Sequence, residues 1–528
     1  MAMFALATVP LILAVAEKNS TQAWFADDAA FGGRLHALRR WWDNLATVGP
    51  SYGYYPNATK TYLLVKPDRR EEAIGIFQGT AVQITCEGRR YLGALGEEEF
   101  SNLTFEAKVV EWTEEVTKLA EFARSQPHAA FAAFTHGLIG RWTYAIRISA
   151  VFLQDAIKPL EDAISQRLIP ALTGQTAPGA NIRALFALPA CFGGLGLINL
   201  TTLRSQHETS RAFCEPLVDS ILKQDGDIMQ TQDLQAHVKK CHQKAHKDQL
   251  KKQANETISS LSTTQQRCVL ATQEKGASSW LVAIPIERLG FKLHKGAFWD
   301  AMCLRYGWLI RHAPEKCRCG LAFEVNHVLT CRQGGFPILR HNELRDTFAS
   351  LLNEVCTEVT TEPALQPLSG ESLQPSANKD PNVRVDIRAK GFWDRQQSAY
   401  FDVRVFHPLA RSYQSSSLTS LYKQHETKKR LEYGQRIREI DHGTFTPLVC
   451  TSGGGAAPEA TVFLKRLASL LAEKRQEPYA VTMGWLRCVT SFCLLRSALA
   501  CMRGSNKPAS IINTDSISEA VVSSHLPH

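Results

Sequence analysis

Two short runs with strict alternation, RVDIRAK over 384–390 and SAYFDVRVF over 398–406, flank a turn that carries Gly391. Successive side chains on a strand point to opposite faces. Val385 and Ile387 are therefore expected on one face with Asp386 on the other, while Tyr400 and Asp402 share a face opposite Phe401 and Val403. If the strands pair across the 389–398 turn, Asp386 and Asp402 approach one another. Two carboxylates held that close repel unless a cation or a proton intervenes. Spacing alone leaves two readings open: exposed strand aspartates, or a pair converging on a divalent metal.

The elements around this hairpin follow a definite order. A helix (HNELRDTFASLLNEVC) precedes a strand (TEVTTEP), a polar loop at about 369–382, the two runs above, a charged helix at about 418–440 and a strand (TFTPLVCT), a succession α-β-β-β-α-β. A Gly-rich break (GGGAAPEA) separates it from two apolar helices reaching about Met502, and the Ser-rich tail from Gly504 is expected to be disordered. At 528 residues, 44% hydrophobic and 21% charged, the chain has apolar material for about two to four domains.

Upstream, Cys317-Arg-Cys319-Gly followed by His327 and Cys331 offers three thiolates and an imidazole, a set that closes a tetrahedral zinc site. The alternative is ordinary buried cysteine, a common fate for this residue. Cys303, His312 and His341 are reserve ligands. The other cysteines among the 14 are scattered, which suits a reducing compartment better than a disulfide frame. The apolar start MAMFALATVPLILAVAEK lacks a basic leader and is too short to cross a bilayer. An intracellular, nuclear location without membrane attachment is expected, and Asn-X-Ser/Thr triplets such as those at Asn57, Asn102, Asn199 and Asn255 are not read as glycan acceptors.

Net charge is +9, a mild excess that fits a polyanion partner. Its densest cluster is VKKCHQKAHKDQLKK, where Lys239, Lys240, Lys251 and Lys252 belong either to a solvated helix face or to a nucleic-acid-facing spine. Residues 1–100 alternate short strands with one helical patch, and from Phe105 to about Thr173 the period shifts to that of packed helices.

Within the first region, Trp24-Phe25-Ala26-Asp27-Asp28 puts two carboxylates at the tip of an apolar hairpin. It resembles the FADD box of reverse transcriptases, followed by a segment around Lys60 like the lysine-bearing motif near the incoming nucleotide, Tyr91-Leu92-Gly93 like the primer-gripping hairpin, and GGLG around Gly193 like the exit from a thumb. That family places a further metal-binding Asp upstream, where this chain has only about two dozen residues, so Asp27, Asp28 and Lys60 are expected to form a polymerase remnant that does not polymerise by itself.

The α-β-β-β-α-β succession with Asp386 and Asp402 resembles the PD-(D/E)xK restriction-like nucleases. The resemblance implies that these two carboxylates hold magnesium or manganese and that a lysine assists water. Arg404 stands at the family's lysine position, and a guanidinium cannot act as a general base, although it can steady a phosphate. The following helix offers Lys428 and Lys429 as replacements; they lie about 100 degrees apart around the helix, so one of them is expected to face the strands. Lys429 with Tyr433 matches a K-x-x-x-Y pattern, and Glu343 and Glu362 are either further acidic ligands or solvent-facing.

Knuckle, Arg340-His341-Asn342 helix, paired-Asp strands and Lys429, all downstream of a thumb, together resemble the C-terminal half of site-specific non-LTR retrotransposon proteins. The resemblance implies a DNA target, an element RNA, structural zinc, and nucleic-acid contacts from Arg340 and His341. The expected architecture is a multidomain α+β or α/β protein, truncated at its 5′ end. It comprises a partial palm (1–104), thumb-like helices (105–200), a basic helical connector (201–300), a zinc knuckle (301–339), a restriction-like endonuclease (340–455), C-terminal helices (456–503) and a tail (504–528). The runner-up is a non-catalytic, zinc-containing nucleic-acid binder.

Overall fold

The computed structural model describes residues 2–18, 20–87, 90–91, 94–95, 98–148, 154–203, 228–366, 380, 382–413 and 415–504. The expected 369–382 loop and the 504–528 tail fall almost entirely outside these residues, as do Leu92 and Gly93. The fold is mixed α and β, with small sheets among many helices. The chain divides into two compact units, one of Met1–Val109 with Tyr144–Ala156 and one of Val110–Thr143 with Ile157–His528.

In the first unit, helix α1 (Ala2–Ala14) buries Leu11, and with the following Val15 it packs against Trp41 and Leu45 of α2 (Leu35–Val48). Strands β1 (Thr21–Phe25) and β2 (Asp28–Gly32) form an antiparallel two-stranded hairpin, and Phe31 stacks on Trp41 with ring centroids 4.7 Å apart. The apolar amino-terminal run is thus a helix with one buried stripe, while Met3, Leu6 and Leu13 stay exposed.

In the second unit the GGLG stretch is a docking loop. A Cβ on Gly194 would lie 1.9 Å from the Leu188 carbonyl oxygen, so only glycine lets the backbone turn back on itself there. Arg305 and Tyr306, at the end of α6 (Lys295–Tyr306), bond the carbonyls of Ala190, Gly194 and Gly193. Upstream of α6 lie the short α3 (Ala180–Ala187) that leads into this loop, the long lysine-rich α4 (Ile228–Ser259) and α5 (Thr263–Thr272), the last opened by a Ser262–Gln265 capping box.

The carboxy-terminal half builds a four-stranded sheet from β3 (Glu358–Thr361), β4 (Ile387–Lys390), β5 (Ser398–Phe406) and β6 (Thr444–Thr451), in spatial order β6-β5-β4-β3. Neighbours are antiparallel except β5 and β6, which run parallel because the chain crosses over through α9 (Leu418–Lys429) and α10 (Gln435–Glu439). Pro447, which cannot donate to a ladder, sits in the edge strand β6 opposite Asp402.

One face of the sheet, carrying Ile387, Phe401 and Val403, packs on Leu344, Phe348 and Leu352 of α8 (Phe336–Val355), on Phe463 and Leu467 of α11 (Pro458–Arg475) and on Leu486 of α12 (Tyr479–Gly504). Phe401 and Phe463 meet edge to face at 5.0 Å, and burying one such ring stabilises by about 1.5–3 kcal/mol. The other face, carrying Tyr400 and Phe445, packs on Tyr433 and on Ile437 of α10. Phe401 and Tyr400 occupy opposite faces as alternation predicts. Val385 does not share the face of Ile387: it joins Tyr400 and Ile437, because the chain bends at Asp386, just before β4 begins, and the period of two breaks there. The Gly-rich stretch before α11 is also no core boundary, since α11 and α12 complete the same apolar layer as α8.

Candidate nuclease site and metal centre

The knuckle is built from two tight turns and a short helix. After Cys317 and Cys319 the chain reverses through Gly320 at φ +89°, Gly320 N–H donates to the Cys317 carbonyl at 2.8 Å, and α7 (Val325–Val328) presents His327. The three sulfur atoms of Cys317, Cys319 and Cys331 and one nitrogen of His327 all lie within 4.8 Å of one another, the compactness a tetrahedral ion with ~2.3 Å Zn–S bonds requires. The Leu321 backbone N–H, helped by His327, draws the Cys319 thiol down to about 7, whereas burial pushes the neighbouring Cys331 thiol up to about 11. This Cys3His cluster can hold a metal such as zinc. Cys303 lies buried in α6 and its thiol, pushed up to about 11 by burial, bonds the Leu309 carbonyl, so it serves packing. His312, with its φ of +51°, stands outside the cluster.

Asp386 and Asp402 are brought together by a bend. The ladder ends with Ile387 against Phe401, and just beyond it the bend at Asp386 turns its carboxylate onto the Val403 backbone, beside Asp402, where β4 and β5 part. Asp386 Oδ2 accepts from the Val403 backbone N–H at 2.6 Å and its Oδ1 lies 3.0 Å from His341 Nε2. Burial lowers the basicity of His341, but the bond to Asp386 and the charges of Asp386 and Asp402 outweigh it, and the imidazole is raised above its ordinary value. Asp402 is 4% exposed. Burial lifts its carboxyl to about 6, with the Asp386 charge adding and the Lys429 ammonium opposing.

Lys429 is the lysine that turns inward. Its Nζ lies 3.0 Å from Asp402 Oδ2 and 3.4 Å from Glu432 Oε2, and it sits over the Tyr433 ring at 5.1 Å. A π-helical turn, Arg430–Gly434, follows at once and sets Glu432 and Tyr433 beside the ammonium. Lys428 is exposed, as is Arg404, two residues along β5 from Asp402. Glu432 has no counterpart in the sequence reading; the only signal was its place one residue before the tyrosine of Lys429-x-x-x-Tyr433.

The remaining expected residues are distributed more widely. Glu362 is exposed and paired with Arg345, its backbone N–H donating to the Asp386 carbonyl at 2.9 Å. Glu343 turns to α12, where Ser497 donates to it. Arg340 is buried in the first turns of α8, whereas Lys239, Lys240, Lys251 and Lys252 lie exposed along α4. In the first unit, Asp27 and Asp28 are exposed at the β1–β2 tip, with Ala26 at φ +54°, and Lys60 is exposed at the end of a short 3₁₀ turn. Among the described residues, only the knuckle gathers three or more His, Cys, Asp or Glu donor atoms within 4.8 Å.

The chain matches no protein-family model and no curated protein.

A divalent cation is tested by the donor set itself. Among the described residues Asp402 Oδ2 is buried without a hydrogen bond, the Lys429 ammonium lies 3.0 Å from it, and the Asp386 charge is near enough to act on it. Two neighbouring carboxylates are the oxygen donors that a hard divalent ion takes.

Proposed function

We propose that this chain is a metal-dependent DNA endonuclease of the restriction-like type, within a protein of the non-LTR retrotransposon kind. The observation that carries the reading is the Asp386 carboxylate held by the Val403 N–H beside Asp402, with Lys429 reaching Asp402 at 3.0 Å from the crossover helix. Asp386 and Asp402 would hold magnesium or manganese. The chemistry such an ion supplies when bound is Lewis-acid activation of water and neutralisation of charge growing on the phosphate.

The chain's own groups do the rest. His341 and the Val403 N–H fix the Asp386 carboxylate in one orientation. Lys429 keeps Asp402 ionised against burial and presents a cation to the phosphate or its attacking water, while Tyr433 packs under the ammonium and limits its rotamers. Arg404, permanently charged, steadies a phosphate and takes no proton. Attack by water on phosphorus with departure of the 3′ oxygen leaves a nicked strand with a 3′-hydroxyl, the end from which an element RNA would be copied. The Cys3His cluster takes zinc as a structural ion, and the Asp27–Asp28 hairpin is read as a reverse-transcriptase remnant without assigned activity.

The test is conversion of supercoiled plasmid to open circle with magnesium or manganese, comparing the parent with Asp386→Ala and Asp402→Ala. Nicking by the parent that both substitutions abolish supports the enzyme. A second reading, a binder that does not cut, draws on the arginine at position 404 and on the lysine ammonium lying against Asp402; it expects retarded migration of the plasmid without nicking.

A further inference from the structure

Arg340 is a buried cation without a counter-ion. It is 3% exposed, its one guanidinium hydrogen bond runs from Nη1 to the Leu329 carbonyl at 3.3 Å, and its Nε is buried with no partner. Among the described residues no carboxylate pairs with it. Burial depresses its basicity, Cys501 opposes this, and the neighbouring charge of Arg404 adds to it. A fold that leaves a guanidinium in this state does so at a cost unless something outside the chain completes it.

The surroundings say what that is. Arg340 lines a cavity of about 610 Å³ between the knuckle and the carboxy-terminal end of β5, with Arg332, Arg404 and Arg411 also in its wall. Its one acidic lining residue, Glu324, is taken by Arg411 at 2.7 Å, which leaves three guanidiniums facing the space uncompensated. The volume is that of a pocket for a nucleotide-sized group. Arg404 also lines the adjoining trough of about 1080 Å³, where Lys423, Lys428 and Lys429 stand. The positive surface therefore runs from Arg340 past Arg404 to the ammonium that touches Asp402.

We propose that this cavity holds a backbone phosphate of DNA neighbouring the one to be cut, with Arg340 as the buried anchor, Arg332 and Arg404 flanking it, and the metal-bound knuckle as its wall. Its place next to a cut rests on the nuclease reading; the phosphate site itself does not. His327 lies in the cavity wall, so occupancy of the Cys3His cluster shapes the pocket, and loss of the metal weakens DNA binding as well as the knuckle's own order. Guanidiniums suit the task because their planar fork meets two phosphate oxygens at once.

The experiment uses the zinc-loaded full chain carrying Asp402→Asn, so that nothing is cut, and measures binding of a labelled duplex by fluorescence anisotropy over a range of salt. Adding Arg340→Met is expected to weaken binding about tenfold and to lower the slope of log K against log salt by about one. The melting temperature should stay level or rise, because an uncompensated buried charge has gone. Arg404→Gln, on the exposed rim, should weaken binding in the same sense whether or not the Arg340 variant folds. Millimolar inorganic phosphate should raise the melting temperature of the parent and not that of the Arg340→Met chain. Unchanged affinity and slope in both variants, or equal stabilisation by phosphate with and without Arg340, would overturn the proposal. Failure of the intact chain to nick plasmid, with these binding losses present, would remove the nuclease reading and leave the phosphate site standing.

Discussion

His407, at the end of β5, is expected to make the carboxy-terminal half acid-sensitive by a calculable amount. Its imidazole is neutral in the fold: Nε2 faces Asn326 Oδ1 at 2.9 Å as donor and Nδ1 faces the Ser452 hydroxyl at 2.8 Å as acceptor. Burial lowers its pKa from 6.5 to about 3, and the like charges of Arg340 and Arg267 add to the effect. Between these two values the unfolded chain binds a proton that the folded chain refuses, so this contribution is intact above about pH 6.5 and is lost as pH falls toward the folded value. With ~1.4 kcal/mol per pKa unit the loss is about 2 kcal/mol at pH 5 and about 3 kcal/mol at pH 4. His407→Gln can keep both bonds, the amide NH2 donating to Asn326 and the amide oxygen accepting from Ser452, yet it does not titrate. Thermal melts of the two chains at pH 7.5 and pH 5 isolate the effect, because His128, also lowered by burial to about 4, is common to both. The variant should lose less melting temperature between the two pH values, by on the order of 5 °C. Parallel losses in the two chains would refute the assignment of a neutral, buried His407.

Lys429→Met should cut plasmid nicking by about 10²-fold or more, whereas Lys428→Met, on the exposed side of the same helix, should stay within a few fold in the same assay. Cys331→Ser should drop the metal content, read by elemental analysis, from about one zinc per chain to a small fraction of that. Phe401→Ala removes a ring fully buried against Phe392 and Phe463 and should destabilise the carboxy-terminal half by about 3–5 kcal/mol in a denaturant melt.

The carboxylate pair, the knuckle ligands and the succession of strands and helices around them are all local patterns. Alternation in SAYFDVRVF follows from the pleat of any strand, and it placed Phe401 and Tyr400 on opposite faces before any fold was known. The spacing of Cys317, Cys319, His327 and Cys331 is a property of one short segment, which two tight turns and a one-turn helix can close by themselves. The break at Asp386 was not visible, because a bend where two strands part leaves no mark on the alternation itself.

What tertiary structure alone decided is each relation between segments distant in the chain. Helical rotation required one of Lys428 and Lys429 to face the strands, but only the packing of α9, through Leu421 and Tyr422, on Phe406 and Val449 of the sheet chose Lys429. His341 meets Asp386 because α8 lies across the strand ends, and Arg340, one residue earlier on that helix, is thereby turned into the space under the knuckle. The amino-acid pattern carries each residue's chemistry and local geometry; which charges are left buried without a partner depends on how whole layers pack, and that is a sum over contacts no short stretch contains.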